Sequence, residues 1–387
     1  MHVEGFLHKL LSSVMHKKRL KTLKTLVTTT IHNKKLSLTE LGREMDLPIK
    51  ESSGIRRADR FLANEGLYAE RDDIYTELAG CALGNKKPDI IVDWSNVPNT
   101  THHIIRAALV ATGRAITLYE EVHPEKKQEN KKVHKAFLKK LKSILPEKCR
   151  PVIITDGGFH NDWFKEVAKL GWDYIGRIRA GSGKKYLIEK SDEWKTCASL
   201  MKKASSTPKY VGKVLLCKKN PINAYLYLFK GKRKKRNERS LPRGRRCGSN
   251  ADPRKAAREP WLLVTSLCKG YCMPKKVIEK YTTRMQIEEA FRDLKSSRYG
   301  FGFENAYTKM IPRIQVLLLI AMLAAYIAWL TGWVVERMGL HFQFQSNTIK
   351  TRRVLSLFYL GCRVIKKRIV INMHEATAWE ASCYVNG

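Results

Sequence analysis

Apolar positions follow two different periods along this chain, and the change from one to the other marks its parts. From about Lys86 to Ile178 they come as short β-branched runs, and two of these, Ile90-Ile91-Val92 and Val152-Ile153-Ile154, lead into aspartates Asp93 and Asp156. Runs of this kind suit strands covered on both faces. Ile104 to Ala111 and Ala115 to Val122 read as antiparallel neighbours of the Asp93 strand, with Thr112-Gly113-Arg114 as their turn. Val133 to Leu145, with a lysine-rich outer face, and Trp163 to Leu170 read as helices, and Trp172 to Ile178 as a fifth strand. The predicted order is β, β, β, α, β, α, β.

Outside that stretch the period is helical. Leu36-Ser37-Leu38-Thr39-Glu40-Leu41-Gly42 is a capped helix start, Leu47-Pro48 a break, and Ser52 to Leu62 a second helix displaying Arg56, Arg57 and Arg60. Helix, turn and basic helix is the outline of a helix-turn-helix reader, and equally of a plain helical domain with a solvated basic face. Lys275 to Lys295 lacks Gly and Pro and predicts one amphipathic helix with Ile287, Ala290, Phe291 and Leu294 on its apolar side. At about 100° per residue, Tyr281, Arg284, Glu288 and Lys295 fall in a stripe about 60° wide, with Glu289 about 100° away from Glu288. Val316 to Val335 approaches the length of a membrane span, but its place after this helix favours a buried core helix. Ile222 to Phe229 is strand-like, and Lys230 to Arg246 is a dense basic tract with Gly, Pro and Ser.

Charge narrows the partner. The 387 residues hold 73 Lys and Arg against 36 Asp and Glu, a formal net charge of +37, which calls for a polyanion. Charge alone leaves DNA, ribosomal RNA and a membrane surface open. Nine cysteines without paired spacing suggest reduced thiols in the cytosol, and Cys268 and Cys272 have no following Cys/His pair at zinc-site spacing. The opening residues carry no secretory signal pattern. The length predicts two or three domains.

The candidate chemistry rests on three acids. Strands of open α/β sheets carry their chemistry at their carboxyl ends, where Asp93 and Asp156 stand, although Asp156-Gly157 is also a turn signal. Glu288 shares its stripe with two cations and a phenol, as a metal ligand among phosphates would, or as a solvated Arg284–Glu288 pair would. His102 and His103 suggest a solvated turn, and Glu120 and Glu121 are minor candidates for the same site.

Four motifs in order carry a resemblance: Val92-Asp93-Trp94-Ser95, Asp156-Gly157-Gly158-Phe159, Arg284-Met285-Gln286-Ile287-Glu288-Glu289, and Phe291-Arg292-Asp293-Leu294-Lys295-Ser296, with Tyr281 spaced ahead of Arg284. From about Leu36 to about Leu357 the chain resembles bacterial insertion-sequence DDE transposases, in the cut-and-paste, hairpin-forming group that includes the enzyme of the tetracycline-resistance composite transposon. The resemblance implies a ribonuclease-H-like α/β core. It implies that Asp93, Asp156 and Glu288 are catalytic and hold two Mg²⁺ ions, with Mn²⁺ able to substitute. It implies that Tyr281, Arg284 and Lys295 grip DNA phosphates, and that Trp261 stacks a flipped base. Met285 stands where some relatives carry Trp.

The expected division is residues 1–85 as a helical end-binding domain, including Arg56, Arg57 and Arg60, and 86–180 as the first part of the core. A β-rich basic insertion follows over 181–259, the rest of the core with the Glu288 helix over 260–346, and a short helical C-terminal region, with dimerisation as its expected role, over 347–387. The expected partners are double-stranded DNA, both transposon ends and target, and a second copy of the chain in a synaptic dimer, in the bacterial cytoplasm at the nucleoid. Two alternatives stay open from the residues alone: a structure-selective ribonuclease-H-like nuclease, and a non-catalytic transposase-derived repressor.

Overall fold

The computed structural model describes residues 3–83, 87–231, 259–268 and 273–370. The chain forms two compact units, Met1–Pro151 with Arg284–Gly387, and Val152–Thr283.

The first unit begins with five helices: α1 (Val3–Leu11), α2 (Lys17–Asn33), α3 (Leu38–Arg43), α4 (Glu51–Leu62) and α5 (Glu65–Leu83). Ser37 caps α3, its side chain accepting from the Glu40 N–H at 3.4 Å. Helices α3 and α4 cross on two glycines. A Cβ at Gly54 would lie 2.2 Å from the Gly42 carbonyl oxygen, and one at Gly42 would lie 2.3 Å from the Ile55 Cα. The crossing thus fixes α4, whose buried face is Gly54, Ala58, Phe61 and Leu62.

Three antiparallel strands follow in the spatial order β3 (Arg114–Pro124), β2 (His102–Ala111), β1 (Asp89–Asn96). The turn expected at Thr112-Gly113-Arg114 is one residue tighter, Thr112 and Gly113, the latter at φ 71°, with Arg114 already opening β3 opposite Ala111. Helix α6 (Lys131–Ile144) buries Phe137, Leu138, Leu141 and Ile144 and leaves its lysines outward. Helices α10 (Met285–Lys295), α11 (Ile311–Arg337) and α12 (Leu357–Lys366) complete the unit. Helix α11 is long and apolar enough to cross a membrane, yet 89% of its most apolar stretch is buried inside the protein, the setting of a core helix.

In the second unit β4 (Val152–Thr155) runs parallel to β5 (Asp173–Ile178), with α7 (Asn161–Lys169) between them in sequence. The strand order is β4, β5, β10 (Trp261–Thr265), β9 (Ile222–Phe229), β8 (Lys209–Leu216), β6 (Lys185–Ile188), β7 (Lys195–Thr196), antiparallel after the first pair. Short α8 (Cys197–Met201) follows β7, and α9 (Met273–Thr282) follows β10. Phe164 of α7 stacks on Tyr174 of β5 with ring centroids 4.7 Å apart. Beyond Gly231 the basic tract lies outside the described residues, as does Cys272.

The single helix expected over Lys275 to Lys295 is two helices, α9 and α10, interrupted at Thr283 and Arg284. Two consecutive threonines mark the break. The Thr282 hydroxyl donates to the Ile278 carbonyl at 2.7 Å, and the Thr283 N–H and hydroxyl both donate to the Lys280 carbonyl, at 3.2 and 2.6 Å, so the last turn of α9 tightens to an i−3 bond.

The glycine crossing gives a direct test. Gly54→Ala must push α3 and α4 apart and is expected to cost about 1–3 kcal/mol, the usual penalty of overpacking. The urea midpoint of the full chain should fall accordingly.

Candidate active site

Strand β1 emerges from the core at Asp93. Ile90, Ile91 and Val92 are fully buried, and the strand is half-buried from Asp93 to Ser95. In register, Asp93 stands opposite Arg106 and Arg106 opposite Glu120, so the three form a row on one face of the three strands. Arg106 donates through Nε and Nη2 to Glu120 Oε2 at 2.8 and 2.7 Å, with side chains 4% and 1% exposed. So dry a pair holds together because removing either partner strands the other charge away from water.

This pair supports α10. The Arg106 guanidinium lies 4.5 Å from the Phe291 ring centroid, and Lys295 Nζ lies 5.4 Å from the same centroid. Lys295 also donates to Ser95 Oγ at 2.7 Å and Asn96 Oδ1 at 3.0 Å, tying the helix to the end of β1. Arg114 holds another part of the helix, donating to Glu289 Oε2 at 2.7 Å and Asp293 Oδ2 at 2.6 Å. Glu289 is therefore engaged with Arg114, while Glu288 turns to Arg284.

Arg284 stands between two acids. Its Nη1 donates to Asp93 Oδ2 at 3.3 Å and its Nη2 to Glu288 Oε1 at 2.6 Å. Asp93 Oδ1 accepts from the Trp94 N–H at 2.8 Å, which fixes the carboxylate's rotation. Two carboxylates on one guanidinium are electrostatically compensated in a way that two alone would not be.

In the second unit Asp156 follows β4. Its Oδ1 accepts from the Gly158 N–H at 2.8 Å and its Oδ2 from Arg179 Nη2 at 2.8 Å. The Asp-Gly turn signal and the acid at the strand end are thus the same residue. Trp261 opens β10 with its ring centroid 5.8 Å from Phe229 and 5.0 Å, edge-on, from Tyr281. Tyr281 is only 3% exposed.

Among the arginines of α4, Arg56 and Arg60 are exposed one turn apart. Arg57 is half-buried and donates to Thr22 Oγ1 at 3.1 Å, which ties α4 to α2.

The carboxylates of Asp93 and Glu288 are hard oxygen donors, of the kind that Mg²⁺ and Mn²⁺ select. Among the described residues no group of three or more His, Cys, Asp or Glu gathers as a ready metal cage. Asp93 and Glu288 gather as a pair around Arg284, and a dication reaching both would compete with that guanidinium. Reading the sequence left Arg106 without a role. The sequence carried no plain signal for it: the two-residue turn pairs Ala111 with Arg114, and only the register shift between Ala107 and Ala108 brings Glu120 opposite Arg106.

A family model described as "Transposase DDE domain" matches residues 84–327, more than half of the chain. No curated protein matches it.

Lys295 supplies the test of this packing. Burial first, and the charge of Arg106 second, lower its amine from the usual value to about 8. A lysine so lowered in the folded state destabilises while it is charged, and that penalty is relieved as pH rises through about 8 toward the unfolded value of about 10.4. Wild type should therefore gain stability relative to Lys295→Met between about pH 7 and about pH 9.5. Urea midpoints of both proteins at both pH values measure the gap. A gap that does not change would contradict the lowered amine.

Proposed function

Because the chain belongs to the DDE transposase family, we propose that Asp93, Asp156 and Glu288 are the acids of its DNA-cutting site. The family makes it a DNA transposase, an enzyme with nuclease and strand-transfer activity that binds DNA and uses divalent metal ions. The finer reading is that the ions are two Mg²⁺, with Mn²⁺ able to substitute. When bound, such ions activate an attacking oxygen and stabilise the leaving one.

The observation that carries the reading is Arg284 bridging Asp93 and Glu288, two acids 195 residues apart in sequence and held on different elements. An ordinary solvated Arg284–Glu288 pair has no need of the strand acid. Arg284 and Lys295, one suited to forked and the other to point contacts with phosphate, would grip the DNA end. Tyr281, expected to grip phosphate with them, is only 3% exposed and packs edge-on against Trp261, so in this reading it supports an indole face on which a base turned out of the duplex can stack.

The proposed course begins with water attacking the phosphodiester at the element's end, releasing a 3′-hydroxyl. That hydroxyl attacks the opposite strand, giving a hairpin and freeing the flanking DNA. A second water opens the hairpin, and the regenerated 3′-hydroxyl attacks a target phosphodiester. Each step exchanges one P–O bond for another, so no oxidant, reductant or energy donor is required.

The remaining assignments belong to the same proposal. Residues 1–85 recognise the terminal repeats, with Arg56 and Arg60 on the outer face of α4 and Arg57 keeping that helix in place. Residues 86–180 and 260–346 form a ribonuclease-H-like core, and 181–259 a basic insertion that contacts DNA. The enzyme acts as a homodimer joining two ends, with 347–387 contributing to the contact, in the bacterial cytoplasm at the nucleoid.

The experiment is cleavage of a duplex carrying the element's own terminal repeat, with Mg²⁺. Glu288→Gln and Asp93→Asn should each lower cutting by roughly a hundredfold or more, since even groups one step behind a metal ligand cost 10–100-fold. End binding by gel shift should persist. Undiminished nicking by Glu288→Gln would remove Glu288 from the site, and a nick without a hairpin band would remove the hairpin route.

A further inference from the structure

Helix α10 ends at Lys295, and the chain then turns sharply through Ser296 to Gly302. The turn is tightly built. The Tyr299 N–H donates to Ser296 Oγ at 3.2 Å, and the Gly300 and Gly302 N–H groups donate to the Ser296 carbonyl at 2.9 and 3.1 Å. The Phe301 N–H donates to the Asp293 carbonyl at 2.8 Å. A Cβ at Gly300 would lie 1.7 Å from that same carbonyl oxygen, so only glycine lets the turn close against the helix. Phe301 and Phe303 anchor the segment, 1% and 2% exposed, with Phe301 edge-on to Phe358 at 5.0 Å.

One aromatic side chain on this rigid mount faces out. Tyr299 is 52% exposed, and two guanidiniums flank its ring, Arg298 at 5.2 Å and Arg292 at 5.9 Å from the centroid. An exposed aromatic ring held by backbone hydrogen bonds has lost the freedom that binding would otherwise remove, which is what a preorganised contact requires. The two cations around it disfavour a basic or purely apolar occupant and favour an anion that also has a flat face. A base of single-stranded DNA, with its phosphate, is such an occupant.

We propose that Tyr299, flanked by Arg292 and Arg298, is a stacking site for an unpaired base of the bound DNA. The inference rests on the DNA-cutting reading of α10, because Tyr299 stands four residues beyond Lys295 at the end of the same helix. It differs from the indole platform proposed at Trp261, which belongs to the other unit. The two rings can serve bases at different positions, and the arginines serve the phosphates on either side of the Tyr299 base.

The test uses the full chain without divalent metal, so that no cutting occurs and none of the three acids is called on. The probes are a terminal-repeat duplex, fully paired, and a series of the same duplex with 2-aminopurine placed in a mismatch at successive positions near the end. Wild type should bind at least one mismatched duplex about tenfold more tightly than the paired one and quench its fluorescence, the size of one base–aromatic stack. Tyr299→Phe should keep both effects, and Tyr299→Ala should lose both at that position. Tyr299→Leu, similar in bulk but without a ring, should behave as Tyr299→Ala, and an unchanged thermal midpoint checks that each variant is folded.

A preference retained by Tyr299→Ala and Tyr299→Leu, or abolished at every position by Trp261→Ala alone, would overturn the proposal. So would a wild type with no preference, leaving the arginine–tyrosine cluster as a surface packing device only. The outcome is separable from that of the cleavage experiment. Glu288→Gln tests the acids, while this preference is measured where the acids have no role.

Discussion

Pairing of carboxylates with arginines is the constraint on which the packing around the candidate acids depends, in each unit by itself. Asp93 and Glu288 share Arg284, Glu120 is held by Arg106, Glu289 and Asp293 by Arg114, and Asp156 by Arg179. A chain of formal charge +37 has cations to spare, and a cation between two neighbouring carboxylates removes their mutual repulsion. The pairs are not equivalent. Arg106–Glu120 is almost wholly dry and so structural, whereas Glu288 is 47% exposed and its ion pair is open to exchange.

That gradation links packing to chemistry. The dry pair braces the Phe291 ring, which belongs to the helix that carries Glu288, and Lys295 closes the same helix onto the end of β1. Glu288 is therefore carried on a braced element while its own carboxylate stays accessible. Asp293 shows the opposing forces in one group. Burial raises its carboxyl above the ordinary range, and Arg114 pulls it back. Helix α11 contributes by bulk, filling the core of its unit with a nearly continuous apolar surface.

Strand runs and turn were legible because they are local. Ile90 to Val92 and Val152 to Ile154 are β-branched and short, and Gly113 supplies the positive φ that the β2–β3 turn uses. The apolar stretch within α11 read correctly as core because its neighbourhood in the sequence, not its composition, distinguished it from a span. The break between α9 and α10 was not legible from periodicity, since the tightened turn from Lys280 to Thr283 leaves the apolar spacing intact. Arg106 was passed over because a lone cation inside an apolar strand looks like an outward residue until the register brings Glu120 opposite it. The inward turn of Arg57 toward Thr22, unlike Arg56 and Arg60 on the same helix, likewise depends on a neighbour 35 residues away.

Arg284 donates to both Asp93 and Glu288, and the proposal turns on these two carboxylates serving together as oxygen ligands of a divalent ion with which that guanidinium competes. Calorimetric titration of Mn²⁺ into the full chain tests it most directly, comparing wild type with Asp93→Asn, Glu288→Gln and Arg284→Gln. Binding should be weakened by about tenfold or more in the two acid variants, and retained or tightened in Arg284→Gln, where the competing guanidinium is gone. Equal Mn²⁺ affinity in wild type, Asp93→Asn and Glu288→Gln would contradict the claim.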